Sequence, residues 1–124
     1  MKLEYFKLKE FMCPCGCNKN DMKLDFLLML DEARSYSQTS YKINSGFRCQ
    51  DHNDSLAMSK RTSSHIKGCA VDIHCTESRK RALILGGLIE AGFTRLGIGK
   101  TFIHVDDDPD KVAGYYLQTN GLTN

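Results

Sequence analysis

The stretch Ser63-Ser64-His65-Ile66-Lys67-Gly68-Cys69-Ala70-Val71-Asp72-Ile73 decides how this chain is read. Gly68 permits a tight turn after His65, and the run from Cys69 to Ile73 has the short apolar character of a buried strand. On such a strand Cys69, Val71 and Ile73 face one way, and Ala70, Asp72 and His74 face the other. A carboxylate among these neighbours has little water to rest in, and burying its charge alone is costly. Asp72 therefore calls for a cation, a metal or a hydrogen-bonded partner such as His65. From these two residues alone, a metal-free Asp72–His65 pair and a metal site are both open.

Phe102-Ile103-His104-Val105-Asp106 tips that balance. It reads as a second buried strand, on which His104 and Asp106 project to one face. A lone histidine on an apolar strand is more often a satisfied core residue than a ligand. Two imidazoles and an out-of-place carboxylate from separate segments instead match the three protein ligands of a catalytic zinc, with a fourth position left for water. His65, Asp72 and His104 are thus the candidate ligands of one Zn2+ ion. The other two histidines are weaker: His52 sits in a polar loop, and His74 is open between a supporting role on the face of Asp72 and chance placement.

The bulk properties leave room for such a site and narrow the alternatives. The chain has 124 residues, enough for a single domain. Hydrophobic residues make up 41% and charged residues 26%, which argues against a disordered tail or a membrane protein. The net charge of +2 does not indicate a nucleic-acid partner, though it permits mild attraction to an anionic polymer such as a cell wall. The N-terminus lacks the apolar run of a secretory signal, and no span is long enough for membrane insertion, so synthesis in the cytoplasm without export by a signal peptide is expected. Six cysteines without a signal peptide read as reduced thiols or metal ligands rather than a disulfide framework. Cys13, Cys15 and Cys17 suit part of a structural zinc site, but they lack Cys-x-x-Cys spacing and no fourth ligand follows nearby. A buried inert cluster is the competing reading.

Taken in order, residues 1–20 form an N-terminal arm carrying the cysteine cluster. Leu3, Tyr5, Phe6, Leu8, Phe11 and Met12 are apolar points on an extended segment laid on the core. Asn20 or Asp21 can cap a helix from Met22 to about Tyr36, whose Phe26, Leu27, Met29, Leu30 and Ala33 recur at helical spacing. Tyr41 to Ser45 alternates as a strand, Gly46 begins a turn, and a short helix runs through Asn53 to Met58. Lys60 to Ser63 reads as exposed. After the Asp72 strand, Thr76 caps a helix from Glu77 to about Ala91, which Gly92 closes. Leu83, Leu85, Leu88 and Ile89 are its expected buried face, with Gly86-Gly87 marking close packing on the sheet. Arg95 to Gly99, Thr101 to Asp106 and Ala113 to Leu117 complete the strands. The fold class is α+β, two main helices against a small, mostly antiparallel sheet.

These motifs resemble the zinc D-Ala-D-Ala carboxypeptidases and the related phage endolysin peptidases. The pattern Ser-x-His-x-x-Gly-x-Ala-x-Asp is met by Ser63 to Asp72, with His104 as the downstream strand histidine. Ser45-Gly46-Phe47-Arg48-Cys49-Gln50-Asp51-His52-Asn53 is similar to that family's Ser-Gly-Tyr-Arg-x-x-x-His-Asn segment. Three ordered motifs across residues 40–107 are far more specific than any one. The resemblance implies a hedgehog/DD-peptidase-like fold, one zinc on His65, Asp72 and His104, and a peptidoglycan peptide as substrate. It places Arg48, a planar fork suited to a carboxylate or carbonyl, and Ser63 at the substrate. Some relatives carry Glu-x-x-His at the third ligand, with the glutamate as base. Thr101 stands at that position here, which leaves Asp106 as the candidate proton carrier, or alternatively as an orienting residue. The expected activity is peptide hydrolysis at a D-amino-acid bond, by a carboxypeptidase or an endopeptidase acting on the wall after release or export. A catalytically inactive, zinc-containing wall-binding module is the alternative, and a thiol or metal protein centred on Cys13, Cys15 and Cys17 is a further one.

Overall fold

A computed structural model describes residues 2–56 and 62–118 of the chain. After a 3-10 turn at Leu8–Phe11 come α1 (Leu24–Ser37), β1 (Ile43–Ser45), α2 (Gln50–Ser55), β2 (Ala70–His74), α3 (Ser78–Ala91), β3 (Arg95–Gly99), β4 (Phe102–Asp106) and β5 (Gly114–Gln118). The strands form one sheet in the order β1-β2-β4-β3-β5. Every pairing is antiparallel except β3 with β5. The fold is α+β with a mostly antiparallel sheet, as expected.

Strand alternation divides the sheet into two chemically different faces. Val71, Ile73, Ile103 and Val105 turn toward α1 and α3 and join their Phe26, Leu27, Leu30, Ile84 and Leu88 in one buried core. Asp72, His104 and Asp106 belong to the opposite face. The register sets Ser45 beside Asp72, Asp72 beside His104, His104 beside Gly97, and Gly97 beside Tyr116. Five residues from five strands thus form one row across the sheet.

The helices depart from the sequence reading in instructive ways. Neither Asn20 nor Asp21 caps α1; Lys23 holds the N-cap position without a side-chain bond, and its N–H donates to the Gly68 carbonyl at 2.9 Å. Asn20 instead donates to the Leu8 carbonyl at 2.7 Å and secures the arm. Gly68 has φ +74, and a Cβ there would strike the backbone of Asp21, so the turn after His65 and the approach to α1 require glycine. On α3 the buried residues are Ile84, Gly87 and Leu88, whereas Leu83 and Ile89 are exposed. Gly87 packs on α1 rather than on the sheet: a Cβ would meet Ser37 and the Ala33 carbonyl, while Gly86 has open space. Glu77 takes the N-cap position expected of Thr76, and Gly92 ends the helix at φ +106.

The arm is less extended than its alternation suggested. Leu3, Phe6 and Phe11 are buried, Tyr5, Leu8 and Met12 are exposed, and the Asp31 carboxylate accepts the backbone N–H groups of Glu4 and Tyr5, each at 2.9 Å. The short helix expected through Asn53 spans Gln50–Ser55, and its extension to Met58 lies outside the described residues, as do Lys60 and Arg61. Ser63, expected to be exposed, is fully buried. No described helix is long and apolar enough to cross a membrane.

Candidate metal centre

Asp72 and His104 are directly opposite one another on β2 and β4, and His65 arrives from the turn that precedes β2. One ligand-capable atom from each lies within 4.8 Å of the other two. Asp72 Oδ1 is 3.0 Å from His104 Nδ1 and 3.5 Å from His65 Nε2. A tetrahedral zinc with bonds of ~2.0–2.1 Å holds its ligand atoms about 3.3 Å apart, so this donor set fits the ion in both chemistry and spacing. His52 and His74 do not join this group.

The tautomers follow from what lies behind each ring. His65 Nδ1 donates to the Gly46 carbonyl at 2.8 Å, which leaves the Nε2 lone pair facing Asp72. On His104 the arrangement is reversed. Its Nε2–H donates to Asp106 Oδ2 at 2.7 Å, and Nδ1 faces Asp72. Asp106 therefore stands on the side of His104 away from Asp72. The same Oδ2 accepts from Arg95 Nε at 3.0 Å, and Oδ1 accepts the Asp108 backbone N–H at 3.1 Å. Arg95 in turn stacks on the Tyr116 ring, with 4.8 Å from the guanidinium carbon to the ring centroid.

Electrostatics sort the buried groups. Burial pushes the His65 pKa below the ordinary histidine value. Burial opposes charge on His104 as well, but hydrogen bonds to Asp106 and Asp72 outweigh it and raise the pKa. Burial would raise the Asp72 pKa, yet the electrostatic interaction with His65 and the hydrogen bond to His104 hold it below the usual carboxylate range. His104 and the neighbouring Arg48 thus place positive charge beside the buried Asp72 carboxylate, a place that a divalent cation would also suit.

Arg48 reaches the same place from the segment after β1. Its guanidinium lies 3.7 Å from Asp72 Oδ2, while Nε donates to Ser45 Oγ at 3.1 Å and Nη1 to Asn53 Oδ1 at 3.0 Å. Ser63 Oγ accepts the His65 backbone N–H at 3.2 Å. Next to it, Ser64 donates to Asp108 at 2.7 Å; Lys67 donates to both Asp108 oxygens at 2.9 Å, and Lys111 to Ser64 at 2.8 Å. This cluster clamps the His65 turn to the β4–β5 connection. Thr101, at the position of the missing glutamate, is exposed in the β3–β4 turn.

Sequence reasoning missed Asn53, Arg95, Asp108 and Tyr116. Asn53 had a signal, since it closes the segment that begins at Ser45. Arg95 and Tyr116 become neighbours of the site only through the β3–β4 and β3–β5 registers. The Tyr116 ring lies 6.5 Å from that of His104, directly over Gly97, and burial pushes its hydroxyl pKa up to about 12.

Among curated proteins none matches the chain. The peptidase M15 family profile matches residues 4–106, which takes in most of the arm, all three α-helices and every residue of the row except Tyr116. That family is zinc-dependent, and its metal requirement agrees with the donor set described above. The chain belongs to the peptidase M15 family, the zinc D-Ala-D-Ala carboxypeptidases.

Proposed function

We propose that this protein is a zinc metallopeptidase that hydrolyses peptidoglycan stem peptides or cross-links at a D-amino-acid bond. The observation that carries the reading is the meeting of His65 Nε2, Asp72 Oδ1 and His104 Nδ1 beside the Arg48 guanidinium. His65, Asp72 and His104 would hold a zinc ion, which when bound would supply Lewis-acid polarisation of the scissile carbonyl and lower the pKa of water toward ~7.

The protein's own groups divide the remaining work. The His65 and His104 side chains have no exposure and that of Asp72 has 11%, so substrate approaches past Asp72 and Arg48. Arg48, braced by Ser45 and Asn53, grips a terminal carboxylate or the carbonyl next to it. Asp106 is a positioning residue: it fixes the His104 tautomer, and its oxygens are taken up by His104, Arg95 and Asp108 rather than turned to the substrate. Ser63 shapes the His65 turn in the same sense. Such a substrate lies outside the membrane, so the enzyme acts after release or export, as in phage or prophage lysis.

Incubating the zinc-loaded protein with purified muropeptides, followed by mass spectrometry, tests the reading. Released D-Ala indicates a carboxypeptidase and a new internal amine indicates an endopeptidase; either is lost in His65→Ala. Bound zinc and retained muropeptide binding with no product would replace the enzyme with a wall-binding module. The commitment of Asp106 to His104 is the feature on that side.

A further inference from the structure

The cysteine cluster gains in space the fourth ligand that it lacks in sequence. Cys49, thirty-two residues beyond Cys17, brings its sulfur to Cys13, Cys15 and Cys17, and the four Sγ atoms all lie within 4.8 Å of one another. The Cys13–Cys15, Cys15–Cys49 and Cys13–Cys49 sulfur separations are 3.5, 3.6 and 3.8 Å. A disulfide needs about 2.05 Å, so none of these is a bridge, and all six cysteines are free thiols. Around a tetrahedral zinc with Zn–S bonds of ~2.3 Å, neighbouring sulfurs stand about 3.8 Å apart. These contacts match that edge.

The backbone prepares the sulfurs as ligands. The N–H groups of Cys49, His52 and Lys19 point at the sulfurs of Cys13, Cys49 and Cys17, each at 3.4 Å. Such bonds orient and stabilise thiolates bound to a metal. Gly16, at φ +93, provides the reversal that lets Cys15 and Cys17 share one centre. Cys13 and Cys49 are buried beside Phe47, whereas Cys15 is exposed, so an ion can enter from solvent.

We propose that Cys13, Cys15, Cys17 and Cys49 form a second, structural zinc site, separate from the His65–Asp72–His104 centre. All-thiolate tetrahedral donors select zinc over harder divalent ions. The site fastens the arm to the residue that immediately follows Arg48. A backbone bond from the Phe47 N–H to the Phe11 carbonyl at 2.8 Å reinforces the same junction. Because its ligands are all sulfur, the site holds metal whether or not the protein cleaves peptide.

The test uses full-length protein expressed with zinc, then loaded with cobalt(II) as the optical probe. In His65→Ala/His104→Ala, about one zinc per chain remains by elemental analysis, and the cobalt form keeps its thiolate-to-metal charge-transfer absorption. Cys15→Ser/Cys17→Ser loses that absorption and about one zinc per chain. Should that variant not fold, the wild-type cobalt spectrum and thiol titration with and without a chelator decide the matter. Four thiols protected from an aromatic disulfide reagent until the chelator is added support the site. A wild-type cobalt spectrum without charge transfer, thiols that react fully before chelation, or a disulfide among the four in freshly purified protein each overturn it. Failure of the muropeptide assay alters none of these readings.

Discussion

Asp106 and Asp108, two carboxylates on one short segment, are bound to different tasks, and each can be tested. If Asp106 orients His104, Asp106→Asn weakens zinc affinity by about 10–100-fold, measured by competition with a chromogenic chelator. A proton carrier would instead leave zinc affinity unchanged and lower turnover alone. Burial acts to raise the Asp108 pKa, but bonds from Ser64 and Lys67 hold it below the ordinary carboxylate value. A folded pKa below the unfolded one means stability that is present at neutral pH and is lost as pH falls through the folded value. Asp108→Asn therefore lowers stability at pH 7 by on the order of 1–2 kcal/mol, and the gap from wild type closes below pH ~3.8. Urea unfolding at several pH values reads this directly, and a gap that persisted in acid would remove the electrostatic explanation.

Between the two long helices, adjacent glycines have opposite expected effects. Gly87→Ala forces α3 away from Ser37 and Ala33 and costs about 1–3 kcal/mol. Gly86→Ala meets open space on an exposed helix position and stabilises by up to about 1 kcal/mol. Thermal unfolding of the pair checks both signs. Much of this level was readable in advance. The 3.6-residue spacing of Phe26, Leu27, Leu30 and Ala33 located α1, and Gly92 ended α3. The rotational phase of α3 was not readable, because apolar residues at 82 to 85 and at 88 and 89 surround its axis, and a glycine contact leaves no hydrophobic mark. Asp72 and His104 stood out because a charged or polar side chain on an apolar strand is conspicuous. Asn53 closes the motif that begins at Ser45 and so left a mark in the sequence, whereas Arg95 is an ordinary polar residue until the chain folds, and the approach of Cys49 to the cysteine turn depends wholly on tertiary structure.

Across the whole molecule, the candidate metal centre stands on a sheet that owes its stability to the other face. Its ligands are already tied to one another, to Gly46 and to Asp106 by hydrogen bonds. Removing zinc from the His65–Asp72–His104 centre is therefore expected to leave far-ultraviolet circular dichroism unchanged and lower Tm by several degrees, about what the loss of a tight ligand costs. Collapse of the spectrum in His65→Ala/His104→Ala would contradict that independence. The cross-sheet row from Ser45 to Tyr116 has a further consequence, for which changes of chain length this protein tolerates. One residue added inside β4 reverses the facing of everything beyond it, turning Asp106 inward against the helices and bringing Val105 to the cleft. The same addition in the connection between β2 and α3 leaves the pairing of Asp72 with His104 intact. The site is thus guarded by parity: a connection that carries none of its contacts can grow or shrink, but inside the strands odd and even must stay where they are.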